Sequence, residues 1–218
     1  MSQEPPGWRL HIDETDDRRM RMTSDTRIPS TKITGIYGGL VKMMARRMLG
    51  DVPDSAGVMW HYPAVFKDVM GFGRKADKWD RLDPNLASFA TMAAAATVGC
   101  SFCLDFGYFM VHNKGLDEAK AREVPRWRES EAFSSLERKV MEYAEAMSQT
   151  PPAVTDEMSA ALLEELGAPA LVELTTRVGA MNLTARGNVA LGIRSQEFSA
   201  ACGLRPLATP SADVASSA

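Results

Sequence analysis

Cys100 and Cys103, in the stretch GCSFCLDFG at positions 99–107, are the residues in this chain whose type and spacing most directly allow chemistry. On a helix, positions three apart share one side. The two sulfurs can then join when the first residue belongs to the opening turn, where the backbone adjusts. That turn also presents unpaired N–H groups and the positive end of the helix dipole, which favour thiolate over thiol. Three roles fit such a pair: a reversible dithiol, half of a metal site, or two small core residues.

The rest of the chain weighs on that choice. A zinc site needs about four ligands. Beyond the pair the chain offers Cys202, three histidines (His11, His61, His112) and scattered carboxylates, with no second C-x-x-C, so neither a metal nor a cofactor is expected. Three cysteines are too few for a disulfide framework, which makes the pair a local device. A thioredoxin-like site needs a strand before its C-x-x-C, whereas an alanine-rich helical segment precedes this one.

The elements that must position the cysteines read as helices. Apolar spacing is helical rather than alternating through the middle of the chain, which predicts an all-α fold. One helix is expected over about 33–49 with Gly50 beyond it, and another from Pro63 toward Gly71. Asp83 and Pro84 form an N-cap and first position for NLASFATMAAAATV, which ends at Gly99. The aromatic helix from about Cys100 follows, with Gly115 as its stop. EVPRWRESEAF is read as a connector. Ser134 and Glu137 have capping-box spacing ahead of the stripe Leu136, Val140, Tyr143, Ala144 and Met147. After Pro151 and Pro152, Thr155 opens a helix that closes at Gly167, and Pro169 starts the last long one. In that helix Gly179, Ala180, Ala185 and Gly187 suit burial or a subunit contact.

With 218 residues and 45% hydrophobic composition the chain supports one sizeable domain, here bounded at 31–205. Residues 1–30 are expected to be flexible and 206–218 a disordered tail. The 25 basic against 28 acidic residues leave a charge of −3, which draws in neither nucleic acid nor anionic membrane. No apolar run approaches the ~20 residues that span a bilayer and no signal-peptide pattern opens the chain, so a soluble, cytoplasmic location is expected. The 14 methionines are read as gap-fillers between helices, Trp127 as a loop anchor, and Cys202 as a structural thiol.

The order of these segments carries a resemblance. An alanine-rich helix leads to G-C-x-x-C opening an aromatic helix, then LERKVMEYAEAM, then VTDEMSAALLEELGAPALVELTTRVGAMNLTARGNVALGI. Upstream lie His61-Tyr62-Pro63 and WDRLDP. Over roughly 50–205 this resembles the carboxymuconolactone decarboxylase family, and within it the alkyl hydroperoxidase D-like proteins. The resemblance implies an all-α fold, a trimer or hexamer of identical chains, and reduction of hydroperoxides at the expense of a thiol electron donor. It also implies that the second cysteine, matching Cys103, attacks the peroxide, and that the first, matching Cys100, resolves the intermediate as a disulfide.

The hydroperoxidase motif adds a proton relay, with a glutamate twelve residues before the first cysteine and a histidine four after the second. This chain has Ser88 and Gly107 at those positions, and neither exchanges a proton near neutral pH. Ser88, His61, Asp105 and His112 are the candidates for a substitute relay or for the pocket. Helical spacing turns Asp105 away from Cys103 and sets His112 ~13 Å along the axis. Asp105 then serves the helix N-terminus electrostatically and His112 its C-terminus, while His61 is a partner that can arrive from another helix. A histidine or carboxylate beside Cys103 would complete a relay, and a wholly apolar shell would mark the thiols as inert. The alternatives to a peroxidase are a catalytically degenerate member that binds small molecules or is structural, and a lactone decarboxylase. The retained cysteine pair disfavours the last.

Overall fold

The computed structural model describes residues 26–210, in which the helical spacing becomes nine α-helices, one 3-10 turn and no strand. In chain order they are α1 (Gly35–Leu49), α2 (Asp54–Met59), α3 (Pro63–Ala76), α4 (Pro84–Val98), α5 (Ser101–Asn113), α6 (Glu118–Glu123), α7 (Ser135–Ser148), α8 (Asp156–Leu191) and α9 (Phe198–Ala201). The fold is all-α. No helix of the described residues is long and apolar enough to cross a membrane.

Helix α4 sits at the centre because its sequence leaves it only a narrow polar edge, Asn85, Ser88 and Thr91. Leu86, Ala87, Phe89, Ala90, Met92, Ala93, Ala94 and Ala95 are all buried, and a helix apolar over most of its circumference must be covered on most sides. It packs on α5, α7 and α8. Its alanines let those helices approach closely, while Phe89 and Met92, withdrawn from water, each contribute about 2 kcal/mol of burial. Asp83 starts the helix by accepting the N–H groups of Asn85 (2.8 Å) and Leu86 (3.1 Å), and Gly99 ends it in the left-handed conformation at φ 76°.

The other signals are used largely as expected. Ser134 and Glu137 form the reciprocal capping box of α7, and Val140, Tyr143 and Ala144 are buried, with Leu136 and Met147 packed against them. Thr155 caps α8 through the Met158 N–H. At Gly167 (φ 75°, ψ 162°) the backbone leaves the helical region, so α8 consists of two helical segments that meet at a kink, the first closing at Gly167 and the second resuming at Pro169 as expected. Trp127 is buried under the Arg128 guanidinium, 4.3 Å from the ring centre.

Four expectations are corrected. Helix α3 runs through Gly71 and Gly73 to Ala76, because its amphipathic face outweighs the weak helix propensity of glycine. The short α2 is additional. The stretch read as a connector begins at the end of α6 and contains the 3-10 turn Val124–Arg126, and Val124 is buried in the main core. Cys202 is exposed just after α9 rather than structural.

Of the segments expected to be loose, residues 1–25 and 211–218 lie outside the described residues. The flanks that are described are held. Arg27 donates its backbone N–H to the Leu191 carbonyl and its guanidinium to the carbonyls of Val189 and Ala190 at the end of α8. Ala208 donates its N–H to the Arg122 carbonyl.

The lead into α4 is fastened by a buried ion pair. Glu173 on α8 accepts the N–H groups of Arg81 (2.8 Å) and Leu82 (3.2 Å) and the Arg177 Nε–H (2.8 Å). Arg177 also donates to the carbonyls of Ala76 and Trp79. Burial alone would raise the Glu173 pKa, but these hydrogen bonds outweigh it and the net shift is downward. Replacing Glu173 by Ala strands Arg177 and two amides, and is expected to cost about 3 kcal/mol. A urea midpoint within error of wild type would contradict this.

Candidate functional site

The cysteines occupy the joint between α4, α5 and α8. Gly99 turns the chain so that Cys100 becomes the N-cap of α5, where its Sγ accepts the Cys103 N–H at 3.2 Å. A disulfide joins the two residues, whose Cα atoms are 5.3 Å apart. Cys100 is 1% exposed and Cys103 5%, so the sulfurs lie beneath the surface, where only a small oxidant could reach them without movement of the walls. Ala95 of α4 and Ala185 of α8 complete a buried cluster with them, and Val98, Phe102, Leu104 and Met181 pack around it.

The polar side chain that reaches the sulfurs is one that the motif does not contain. Asn188, buried on α8, directs its Nδ2 to Cys103 Sγ at 3.4 Å and to Cys100 Sγ at 4.0 Å. Among the described residues the shell is therefore neither the histidine or carboxylate of a relay nor wholly apolar. Leu174, Val178, Met181, Ala185 and Asn188 follow one another at steps of three and four, so they lie on one face of α8. A lone amide in that otherwise apolar row is the signal that could have found it.

The motif's relay positions hold packing instead. Ser88 donates its hydroxyl to the Pro84 carbonyl of its own helix at 2.8 Å. A Cβ built on Gly107 would stand 3.0 Å from Met92 Cγ. Since Ser88 and Met92 are one turn apart on α4, the thioether fills the room that a histidine at position 107 would need.

The remaining candidates are engaged elsewhere. His61 Nε2 meets the Pro29 carbonyl at 2.8 Å, and His112 Nδ1 meets Glu118 at 2.9 Å on the exposed end of α5.

Asp105 has neither the relay role nor the simple electrostatic one expected of it. Buried on α5, it accepts four hydrogen bonds from the segment after α8: the Ser195 hydroxyl (2.8 Å), the Phe198 N–H (2.9 Å), and the Ser199 N–H (3.0 Å) and hydroxyl (2.6 Å). Ser195 also donates its N–H to Ser101 Oγ, and the Phe198 ring packs on Phe102, Phe106 and Phe109. This segment is thereby strapped across the cysteine-bearing helix. Among the described residues no group of three or more His, Cys, Asp or Glu could hold a metal ion.

Helical bundle and buried C-x-x-C together define an alkyl hydroperoxidase D-like core, and comparison with known proteins agrees. The sequence profile of the carboxymuconolactone decarboxylase family matches residues 63–146. The uncharacterized protein YnjA of Escherichia coli is 37% identical over 152 residues, 69% of this chain and 84% of YnjA. The chain belongs to the carboxymuconolactone decarboxylase family.

Two solved structures show the same fold. The alkylhydroperoxidase AhpD core of an uncharacterized peroxidase-related protein from Ralstonia eutropha superposes with a TM-score of 0.70 at 15% identity, over 80% of this chain and 95% of that one. The apo debrominase Bmp8 gives 0.65 at 18% identity, over 74% and 87%.

Burial alone would raise the Asp105 pKa, but the hydrogen bonds from Ser199, Ser195 and Phe198 more than offset it and lower the value. A lowered folded-state pKa contributes stability that is present above the ordinary carboxylate pKa near ~4 and is lost as pH falls through the folded value. Asp105→Asn is therefore expected to lower stability at pH 7 by on the order of 2 kcal/mol. The gap to wild type should narrow below about pH 4, and equal denaturant midpoints at pH 7 would refute the clamp.

Proposed function

We propose that this protein is a thiol-disulfide oxidoreductase that reduces hydroperoxides through the Cys100/Cys103 pair. The Cys103 thiolate attacks the terminal peroxide oxygen, the O–O bond breaks, and an alkoxide leaves and takes a proton from water, giving a sulfenic acid on Cys103. The Cys100 thiol then displaces that oxygen as water and closes the disulfide. Two thiols of an external donor return the pair to its reduced form and are themselves oxidised.

The observation that carries this reading is the pair itself, bonded across the opening turn of the helix at a Cα separation of 5.3 Å, within the range disulfides require. The burial of both sulfurs favours a small hydroperoxide.

A second reading has its own support. Ser88 and Met92 leave no titrating group where the family motif has a relay, which favours a degenerate member that binds small molecules or is structural. The debrominase Bmp8 shares this fold, so the scaffold also accommodates other chemistry.

Hydroperoxide added to the reduced Cys202→Ser protein is expected to consume both remaining thiols and produce a disulfide between Cys100 and Cys103, seen by mass spectrometry of the peptides. Free thiols in a protein that stays folded would end the dithiol reading. Peroxide turnover unchanged in Cys100→Ser and Cys103→Ser would favour the second.

We infer further that the chain forms a homo-oligomer, a trimer or hexamer as the resemblance implies. Support comes from exposed apolar residues on α1 (Ile36, Leu40, Met43, Met44 and Met48) and, on α8, from exposed Val172 and Leu183. Near them on α8, Gly179 and Gly187 have open space where a Cβ would stand. Light scattering should give a multiple of the chain mass, reduced by Leu183→Asp. A single-chain mass for wild type at micromolar concentration would exclude assembly.

A further inference from the structure

We propose that Asn188 is a catalytic residue, whose side-chain amide holds the negative charge of the Cys103 thiolate where the motif's relay positions, Ser88 and Gly107, supply no titrating group. The proposal rests on the dithiol reading for its place in a reaction, but not for its test.

The geometry divides the available donors between the two sulfurs. Cys100 Sγ receives the backbone N–H of Cys103 at 3.2 Å, the contribution of the helix N-terminus. Cys103 Sγ receives Asn188 Nδ2 at 3.4 Å, while the same nitrogen is 4.0 Å from Cys100 Sγ. The helix end alone therefore favours the first cysteine. The amide of α8 favours the second, the one that must attack.

Asn188 is buried among apolar neighbours, with Ala185 one turn before it in the cluster around the sulfurs. Away from water, a donor aimed at a charged acceptor strengthens and an uncompensated thiolate is costly. A hydrogen bond to an anion is also stronger than one to a neutral acceptor. The amide thus stabilises thiolate over thiol, and the reduced pair over the disulfide, whose sulfurs carry no charge.

An amide differs from imidazole in one respect that matters for mechanism. It does not titrate near neutral pH, so it holds the thiolate without taking its proton and has none to give to the departing alkoxide. That proton comes from water, as in the balanced step above. Asn188 supplies charge stabilisation and leaves proton transfer to solvent.

The test titrates the single remaining thiol by its ultraviolet thiolate absorbance, in Cys100→Ser/Cys202→Ser protein with Asn188 or with Asn188→Leu, Asn188→Asp or Asn188→Gln. Loss of the donor in Asn188→Leu is expected to move the Cys103 titration to higher pH and to reduce thiolate below the midpoint about tenfold. Asn188→Asp, which also brings a negative charge, moves it further. Asn188→Gln, which keeps a donor, restores most of the thiolate. In Cys103→Ser/Cys202→Ser protein, where Cys100 remains, Asn188→Leu should leave the titration nearly in place.

Superimposable Cys103 titrations for Asn188 and Asn188→Leu, with helical circular dichroism retained, would overturn the proposal. So would equal displacement of Cys100 and Cys103, which would mark a general loosening of packing. If Asn188→Leu does not fold, the Asp and Gln variants make the same comparison between donor removed and donor kept. A displaced titration in a protein whose thiols ignore peroxide would leave Asn188 assigned and remove the peroxidase reading. An unmoved titration in a protein that peroxide oxidises would do the reverse.

Discussion

The structure is organised by a helix that cannot face water. Because α4 is apolar over most of its circumference, it is stable only when α5, α7 and α8 cover it, and their arrangement follows from that need. Its small side chains set how near they come. Ala95 and, on α8, Ala185 pack in one buried cluster with the two cysteines at the first turn of α5. The site is thus a by-product of close packing, and its depth follows from the same alanines that hold the fold together.

The same packing explains why the family relay cannot simply be put back. Met92 belongs to the core through α4 and occupies the space beside Gly107. A flexible thioether fills irregular volume well but carries no proton, so one buried side chain stands where a histidine at position 107 would need room. Helix α8 offers an amide to the sulfurs, and the Asp105 clamp and the Phe198 ring tie the helix to the segment after α8. The cysteine-bearing helix is therefore held by interactions of different kinds: apolar packing at Gly107, an amide at the sulfurs and a carboxylate clamp at Asp105.

How much of this was legible depended on sequence distance. Asp83-Pro84, Gly99, the Ser134/Glu137 box, Thr155 and Gly167 are local signals, each acting within about one turn, and the helices they bound stand where they imply. Gly71 and Gly73 misled because a glycine inside an amphipathic helix only weakens it, by about 1 kcal/mol, and neither takes a left-handed φ here. The interactions that define the site are not local. Asn188 is 85 residues from Cys103, and Ser195, Phe198 and Ser199 lie 90, 93 and 94 residues from Asp105. Helical spacing correctly turned Asp105 away from Cys103, but nothing nearby in the chain disclosed what it turned toward.

The disulfide spans a separation of only three residues, and this has a thermodynamic consequence. A cross-link stabilises a protein chiefly by restricting the unfolded chain, and the restriction grows with the loop it closes. So small a ring restrains the unfolded chain far less than a long-range bridge would. The conformational stability of the domain therefore rests chiefly on its noncovalent core, and cleaving the bond would remove little of it.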